Sequence, residues 1–123
     1  MQHHLLLAAA VLLTFVGCMH SYLGERYVLG PLLALPNLPT LGGSRAYMGA
    51  VLRFAWHLTS IAWWGTAATL VVMWDGRGQT VIGVVLSVTF LLHGLISLVK
   101  SGGRHPAWMF FFLTAAAIWF GTR

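Results

Sequence analysis

Charged residues are scarce in this sequence, and acidic residues are almost missing. Only 7% of the 123 residues are charged, and only two of them are acidic. An ordinary soluble domain has about 25% charged residues, so the chain does not belong to that class. With two carboxylates, no phosphate-binding loop and no HExxH motif, the sequence does not favour hydrolysis or phosphoryl transfer.

Cysteine occurs once, at Cys18. A single cysteine cannot form an intrachain disulfide, and Cys18 lies inside an apolar run. The cysteine content therefore excludes a disulfide-stabilised scaffold and leaves the redox compartment open.

Apolar residues dominate the sequence. They make up 59% of the chain, and the mean hydropathy is +0.82. A membrane-spanning helix needs about 20 mostly apolar residues, and four runs approach or exceed this length, over residues 3–23, 46–74, 81–99 and 106–120. The pattern predicts an all-α integral membrane protein, in which residues 1–123 form one up-down bundle of four transmembrane helices.

The segment between the first two predicted helices differs in composition from the helices. Residues 27–45 contain Pro31, Pro36 and Pro39, which exclude a continuous helix, and they are also rich in leucine. The composition predicts a Pro/Leu-rich loop that lies in the membrane interface.

The net charge of +5 comes from basic residues near the ends of the predicted helices. In that position anionic lipid headgroups are the expected partners, and nucleic acid is not. Counting Lys and Arg gives five on one side, at Arg26, Arg45, Arg53, Lys100 and Arg104, and two on the other, at Arg77 and Arg123. The positive-inside rule then predicts a bacterial inner-membrane protein with the first side in the cytoplasm and both termini in the periplasm.

Two helices carry polar side chains at helical spacing. In the second helix Arg53, His57, Ser60 and Trp64 fall on one face, at 100° per residue. In the third helix one face carries Thr89, His93, Ser97 and Lys100. Ionisable groups are costly at membrane depth and usually face a bundle interior, so both faces are candidate functional surfaces.

Three histidines are predicted to lie at one depth on the cytoplasmic side. At about 1.5 Å per residue, His20, His57 and His93 each lie one or two turns inside their helix ends, with His105 slightly shallower. Histidine nitrogens, with Glu25 as a further ligand, suit a Zn, Cu or Fe ion. A haem b held by His20 and His93 is the other possibility, with Arg53 pairing a propionate and His57 beside it.

The architecture resembles that of small four-helix membrane b-type cytochromes and haem-anchor subunits. We therefore predict an intramembrane histidine site that binds haem b or a transition metal for electron transfer, with a quinone or other membrane subunits as partners. A non-catalytic accessory or assembly subunit of a larger membrane complex is the first alternative, because the short loops, the Trp-rich helices and the Leu-rich interfacial segment would serve as contact surface. A small transporter or proton-relay bundle that uses His57 and His93 is the second.

Overall fold

The computed structural model describes residues 2–122, without the side chains of residues 2, 3, 5 and 121, and nearly all of this range is helical. The elements are α1 (Gln2–Leu23), a π-helical segment (Gly24–Leu29), α2 (Gly30–Ala34), α3 (Arg45–Trp74), α4 (Gln79–Ser101) and α5 (Ala107–Gly121). The all-α prediction is confirmed for these residues, and the four predicted helices match the observed ones to within two residues at each end. Arg123, used in the topology prediction, lies outside the described residues.

The chain remains helical beyond α1, so the observed loop is shorter than the loop predicted over residues 27–45. The π-helical segment and α2 extend the helical backbone to Ala34, and the non-helical stretch is limited to residues 35–44. Pro31 does not break the helical backbone, because it lies in the first turn of α2, directly after the π-helical segment, where the pattern of backbone hydrogen bonds changes. Arg45 anchors the loop, since its guanidinium donates hydrogen bonds to the carbonyl oxygens of Leu33, Leu35 and Pro36.

Glycines in the left-handed region make the tight turns between the long helices. Gly76 follows α3 at φ 72°, and Gly102 and Gly103 follow α4 at φ 60° and 77°. Only glycine adopts this backbone region without a steric cost. These short turns reverse the chain, so that α3, α4 and α5 run antiparallel to their neighbours.

The long helices form an open row rather than a closed ring. Among residues 2–122, α1 packs on α3, α3 on α4 and α4 on α5, with no comparable contact from α1 to α4 or α5. Glycines allow the close approaches: Gly24 lies against the Trp56 indole, and Gly65 lies against Thr89. A Cβ atom at either glycine would overlap the opposing side chain, so these contacts fix the spacing of the helices.

Two helical stretches in the described range are long and apolar enough to cross a membrane, Leu6–Ala34 and Gln79–Ser101. A third apolar helix, Ala107–Phe120, is shorter. Helix α3 is not in this group, and it carries Arg53 and His57 of the predicted polar face. The length and composition of the helices therefore support two candidate spans.

Candidate functional site

The polar face predicted on α3 packs against α1 and the π-helical segment. Arg53 and His57 contact Glu25, and Ser60 contacts Ser21. One turn further along, the Trp64 Nε1 donates a hydrogen bond to the Thr14 carbonyl at 3.2 Å. The polar face predicted on α4 does not pack against a single neighbouring helix. Thr89 lies against α3, whereas His93 contacts α5.

Glu25 and Arg53 form an ion pair between two elements. Arg53 Nε donates a hydrogen bond to Glu25 Oε1 at 2.9 Å, and Arg53 Nη2 lies 2.8 Å from the same oxygen. Both side chains are partly exposed, at 50% for Arg53 and 40% for Glu25. Arg53 therefore occupies one carboxylate oxygen and leaves the other, Oε2, for a different partner.

His57 faces that second oxygen. Its Nε2 lies 3.5 Å from Glu25 Oε2, and Oε2 is buried without a hydrogen-bond donor among the described residues. On the other side of the ring, His57 Nδ1 lies 2.9 Å from Ser21 Oγ, which lies 2.8 Å from Ser60 Oγ. Since Ser60 is fully buried, the polar chain runs from Glu25 into the α1–α3 interface.

A cleft of about 920 Å³ opens beside these groups. Its walls come from the π-helical segment, α2, the loop, the first turns of α3 and the end of α4, and they include the charged groups of Glu25, Arg53 and Lys100. Ligand sites commonly have volumes of about 300–1,000 Å³ and mostly apolar walls with a few polar groups. The sequence predicted Arg53 and Lys100 at the same end of the molecule, and both residues line the cleft.

His20 lies in an aromatic environment rather than beside the other histidines of the prediction. Its ring stacks on Trp56, with 4.5 Å between the centroids and 2° between the planes, and it also contacts Trp63. His20 Nε2 is buried and has no hydrogen-bond partner within the described part of the chain. The Trp56 Nε1 donates to the His20 carbonyl at 3.0 Å, which holds this stack between α1 and α3.

His93 and His105 lie near α5. His93 is 5% exposed, donates from Nδ1 to the Thr89 carbonyl at 2.7 Å, and contacts the Phe111 ring edge-on. His105 contacts the Phe54 ring edge-on at 5.5 Å, and its Nδ1 accepts a hydrogen bond from the Ala107 N–H. Each histidine thus has its own set of neighbours.

The structure does not bring His20, His57 and His93 into one ligand set. Across residues 2–122, with the few side chains noted above left aside, no group of three His, Cys, Asp or Glu side chains could hold a metal ion. The convergence expected from a closed ring of helices fails because the helices form a row, which puts His20 and His93 at different interfaces. Haem b or metal binding stays a prediction, and an absorption spectrum with metal analysis of the purified protein would test it.

Ser21 is the residue of this cluster that the sequence did not single out. It is adjacent to His20, and the polar character of α1 begins at that point. The available signal was the helical spacing of Ser21 and Glu25, four residues apart on one face. This spacing becomes informative only when the packing of α1 on the His57 face of α3 is known.

The described chain is therefore an all-helical protein with two candidate membrane helices and one charged cleft. Comparisons with protein-family models, with curated proteins and with solved structures give no match for this chain.

Proposed function

We propose that this protein is a small proton-conducting membrane bundle with four spans, located in a bacterial inner membrane with both termini on the periplasmic side. Helices α3 and α5 complete the bilayer crossing that the two candidate spans begin. The distribution of basic residues supports this orientation, because Arg53 and Lys100 line the same cleft at the more basic end.

The polar chain from Glu25 through His57 and Ser21 to Ser60 carries this proposal. It connects the cleft to the middle of α3, since Ser60 lies near the midpoint of the helix Arg45–Trp74. Seven residues separate Arg53 from Ser60, which is about 10 Å along the helix axis. An ion pair that only stabilised the fold would not need this hydrogen-bonded extension into the interface.

The chemistry of the step is proton exchange between a carboxyl group and an imidazole. When Glu25 is protonated, its O–H bond breaks and an N–H bond forms at His57 Nε2, which leaves a carboxylate and an imidazolium. Arg53 stabilises the carboxylate through Oε1, and Ser21 accepts a hydrogen bond from His57 Nδ1 in the charged state. The two serines therefore orient the ring while its charge changes.

The open row provides a mechanism for access from the opposite side. Helix α1 has one long-helix neighbour, α3, among the described residues. A rocking motion of α1 would separate only this interface and would expose Ser21 and Ser60. Transporters move whole helices in this manner around a fixed site.

Proton flux into liposomes tests the proposal. Protein reconstituted in phosphatidylcholine vesicles with an internal pH dye is expected to collapse an imposed pH gradient faster than empty vesicles. Glu25→Gln and His57→Gln should each reduce the protein-dependent rate at least tenfold. The matched controls are Asp75→Asn, which removes the other carboxylate, and His4→Gln, which removes an exposed histidine.

The outcomes of the flux experiment are distinct. Full flux in both Glu25→Gln and His57→Gln, or an equal loss in the two control variants, would refute a role for the cluster in proton transfer. A wild-type rate equal to that of empty vesicles would refute proton conduction itself.

A second candidate function is an accessory subunit of a larger membrane complex. The open row leaves the outer faces of α1 and α5 without a neighbouring helix, and large apolar side chains on them are exposed, such as Leu12 at 67% and Phe120 at 76%. Lipid or a partner subunit would cover these faces. Co-purification in a mild detergent would identify a stoichiometric partner, and a monodisperse single chain would contradict this candidate.

A further inference from the structure

The cleft next to Arg53 combines an excess of positive charge with apolar walls. Three basic side chains line it, Arg45, Arg53 and Lys100, against one acidic side chain, Glu25. With His57 neutral, the formal charge of the lining is three minus one, or +2. Arg53 and Lys100 are exposed at this cleft, so both charges are accessible to an anion at the level of the lipid headgroups.

The three cations differ in how far they are already neutralised. Arg45 donates to three loop carbonyls, and Arg53 pairs with one oxygen of Glu25. Lys100 makes no polar contact with the described residues, although it lies on the wall of the cleft. Lys100 and the exposed half of Arg53 are therefore the groups that can receive an anionic head.

The rest of the lining suits a hydrocarbon chain. Leu33, Phe54 and Ile96 present apolar surface, and the small side chains of Ala46 and Ala50 leave space along one side of α3. A small inorganic anion would leave this apolar surface in contact with water. The ligand should therefore carry one anionic group and an apolar body.

The position of Lys100 indicates where such a ligand comes from. It lies in the last turn of Gln79–Ser101, one of the two candidate membrane helices. Basic residues at the end of a span lie at the level of the lipid phosphates. A phosphate group at Lys100 would leave its acyl chains on the apolar side of the cleft, next to Ile96.

We propose that this cleft binds an acidic phospholipid from the surrounding bilayer, with its phosphate between Lys100 and Arg53 and an acyl chain against Phe54 and Ile96. This inference rests on the proposed membrane function and names the occupant of the same site. The phosphate would compete with the Glu25 carboxylate for Arg53. Glu25 would then interact mainly with His57.

Native mass spectrometry can count the lipids bound to the detergent-purified protein. Wild-type protein should retain phosphatidylglycerol at least fivefold better than phosphatidylcholine, and Lys100→Gln should weaken phosphatidylglycerol binding about fivefold. Ala50→Leu should fill part of the cleft and reduce binding without changing the charge. Arg26→Gln is the matched control, because Arg26 belongs to the same end of the molecule and does not line the cleft.

Each result separates specific binding from general attraction. Equal losses in Lys100→Gln and Arg26→Gln would mean that surface charge alone attracts the lipid, and would overturn the proposal. Competition by inorganic phosphate, or equal binding of a neutral quinone, would overturn the assignment to an acidic lipid. Proton flux in phosphatidylcholine vesicles without phosphatidylglycerol selectivity would refute this inference alone, whereas selectivity without flux would refute proton conduction alone.

Discussion

The two carboxylates of this chain each pair with an arginine, at opposite ends of α3, yet the two pairs have different surroundings. Asp75 and Arg77 are two residues apart in a turn, and their side chains are 44% and 62% exposed. Glu25 and Arg53 are 28 residues apart and join the π-helical segment to α3. Only the second pair contacts a histidine, a buried serine chain and a cleft.

The position of an ion pair is therefore more informative in this chain than its chemical type. A local pair in a turn forms wherever the backbone brings two flexible side chains together, and it contributes little free energy. A pair between elements requires that the elements pack first. If the Glu25 end of α3 is the functional end, substitutions there should have larger effects than matched substitutions at the Asp75 end.

The first prediction places the two pairs on opposite sides of the membrane. In a Cys18→Ala background, a membrane-impermeant thiol reagent should label Gln79→Cys in intact spheroplasts and should not label Thr40→Cys until the membrane is opened. Both positions are near the ends of α3 and are exposed. Labelling of Thr40→Cys alone would reverse the orientation, and equal labelling of both would contradict a span in α3.

The second prediction concerns the glycine beside Glu25. A side chain at Gly24 would overlap the Trp56 indole, so Gly24→Val should lower the free energy of unfolding by about 1–3 kcal/mol. Gly78, near the other pair, has open space at its Cβ position but is the N-cap of α4, and Gly78→Ala should cost only about 0.5–1 kcal/mol, because alanine is a poorer N-cap. Detergent denaturation followed by tryptophan fluorescence measures the unfolding free energy of both variants. Equal effects would show that the Trp56 side chain moves aside at little cost.

The third prediction compares the two arginines. Arg53→Gln should lower the free energy of unfolding by about 1 kcal/mol, because Glu25 loses its main partner, while Arg77→Gln should have an effect below about 0.5 kcal/mol. Arg53→Lys keeps the charge and loses the two-nitrogen contact to Oε1, so it should lie between wild type and Arg53→Gln. If Lys behaves like wild type at residue 53, the guanidinium geometry has no role, and if Lys behaves like Gln, the positive charge alone contributes nothing.

The fourth prediction separates the polar chain from burial alone. Ser60 and Ser97 are both fully buried, but Ser60 has a hydrogen bond to Ser21, and the Ser97 hydroxyl has no partner among the described residues. Ser60→Ala should cost about 0.5 kcal/mol of unfolding free energy, whereas Ser97→Ala should be neutral. The same fluorescence assay applies, and a larger loss at residue 97 than at residue 60 would contradict a stabilising role for the Ser21–Ser60 hydrogen bond.

Sequence patterns were informative where the cause of structure is local. The long apolar runs predicted the four long helices, and the 100° spacing of Arg53, His57 and Ser60 predicted one polar face, which does pack inward against α1. The loop prediction was too long, because proline was treated as a helix breaker although Pro31 lies in a first turn. The position of each histidine along its own helix could be predicted, but the histidines that lie next to each other across helices could not.

The helices, their antiparallel order and the more basic end of the molecule are predictable from the sequence, because they follow from hydropathy, helix geometry and turn residues along the chain. The helix faces that meet are known only from the folded structure. Interfaces depend on the fit of side chains far apart in sequence, as in the Gly24–Trp56 and Gly65–Thr89 contacts. That fit produced an open row, separated His93 from His57, and joined Glu25 to Arg53 and His57 beside the cleft.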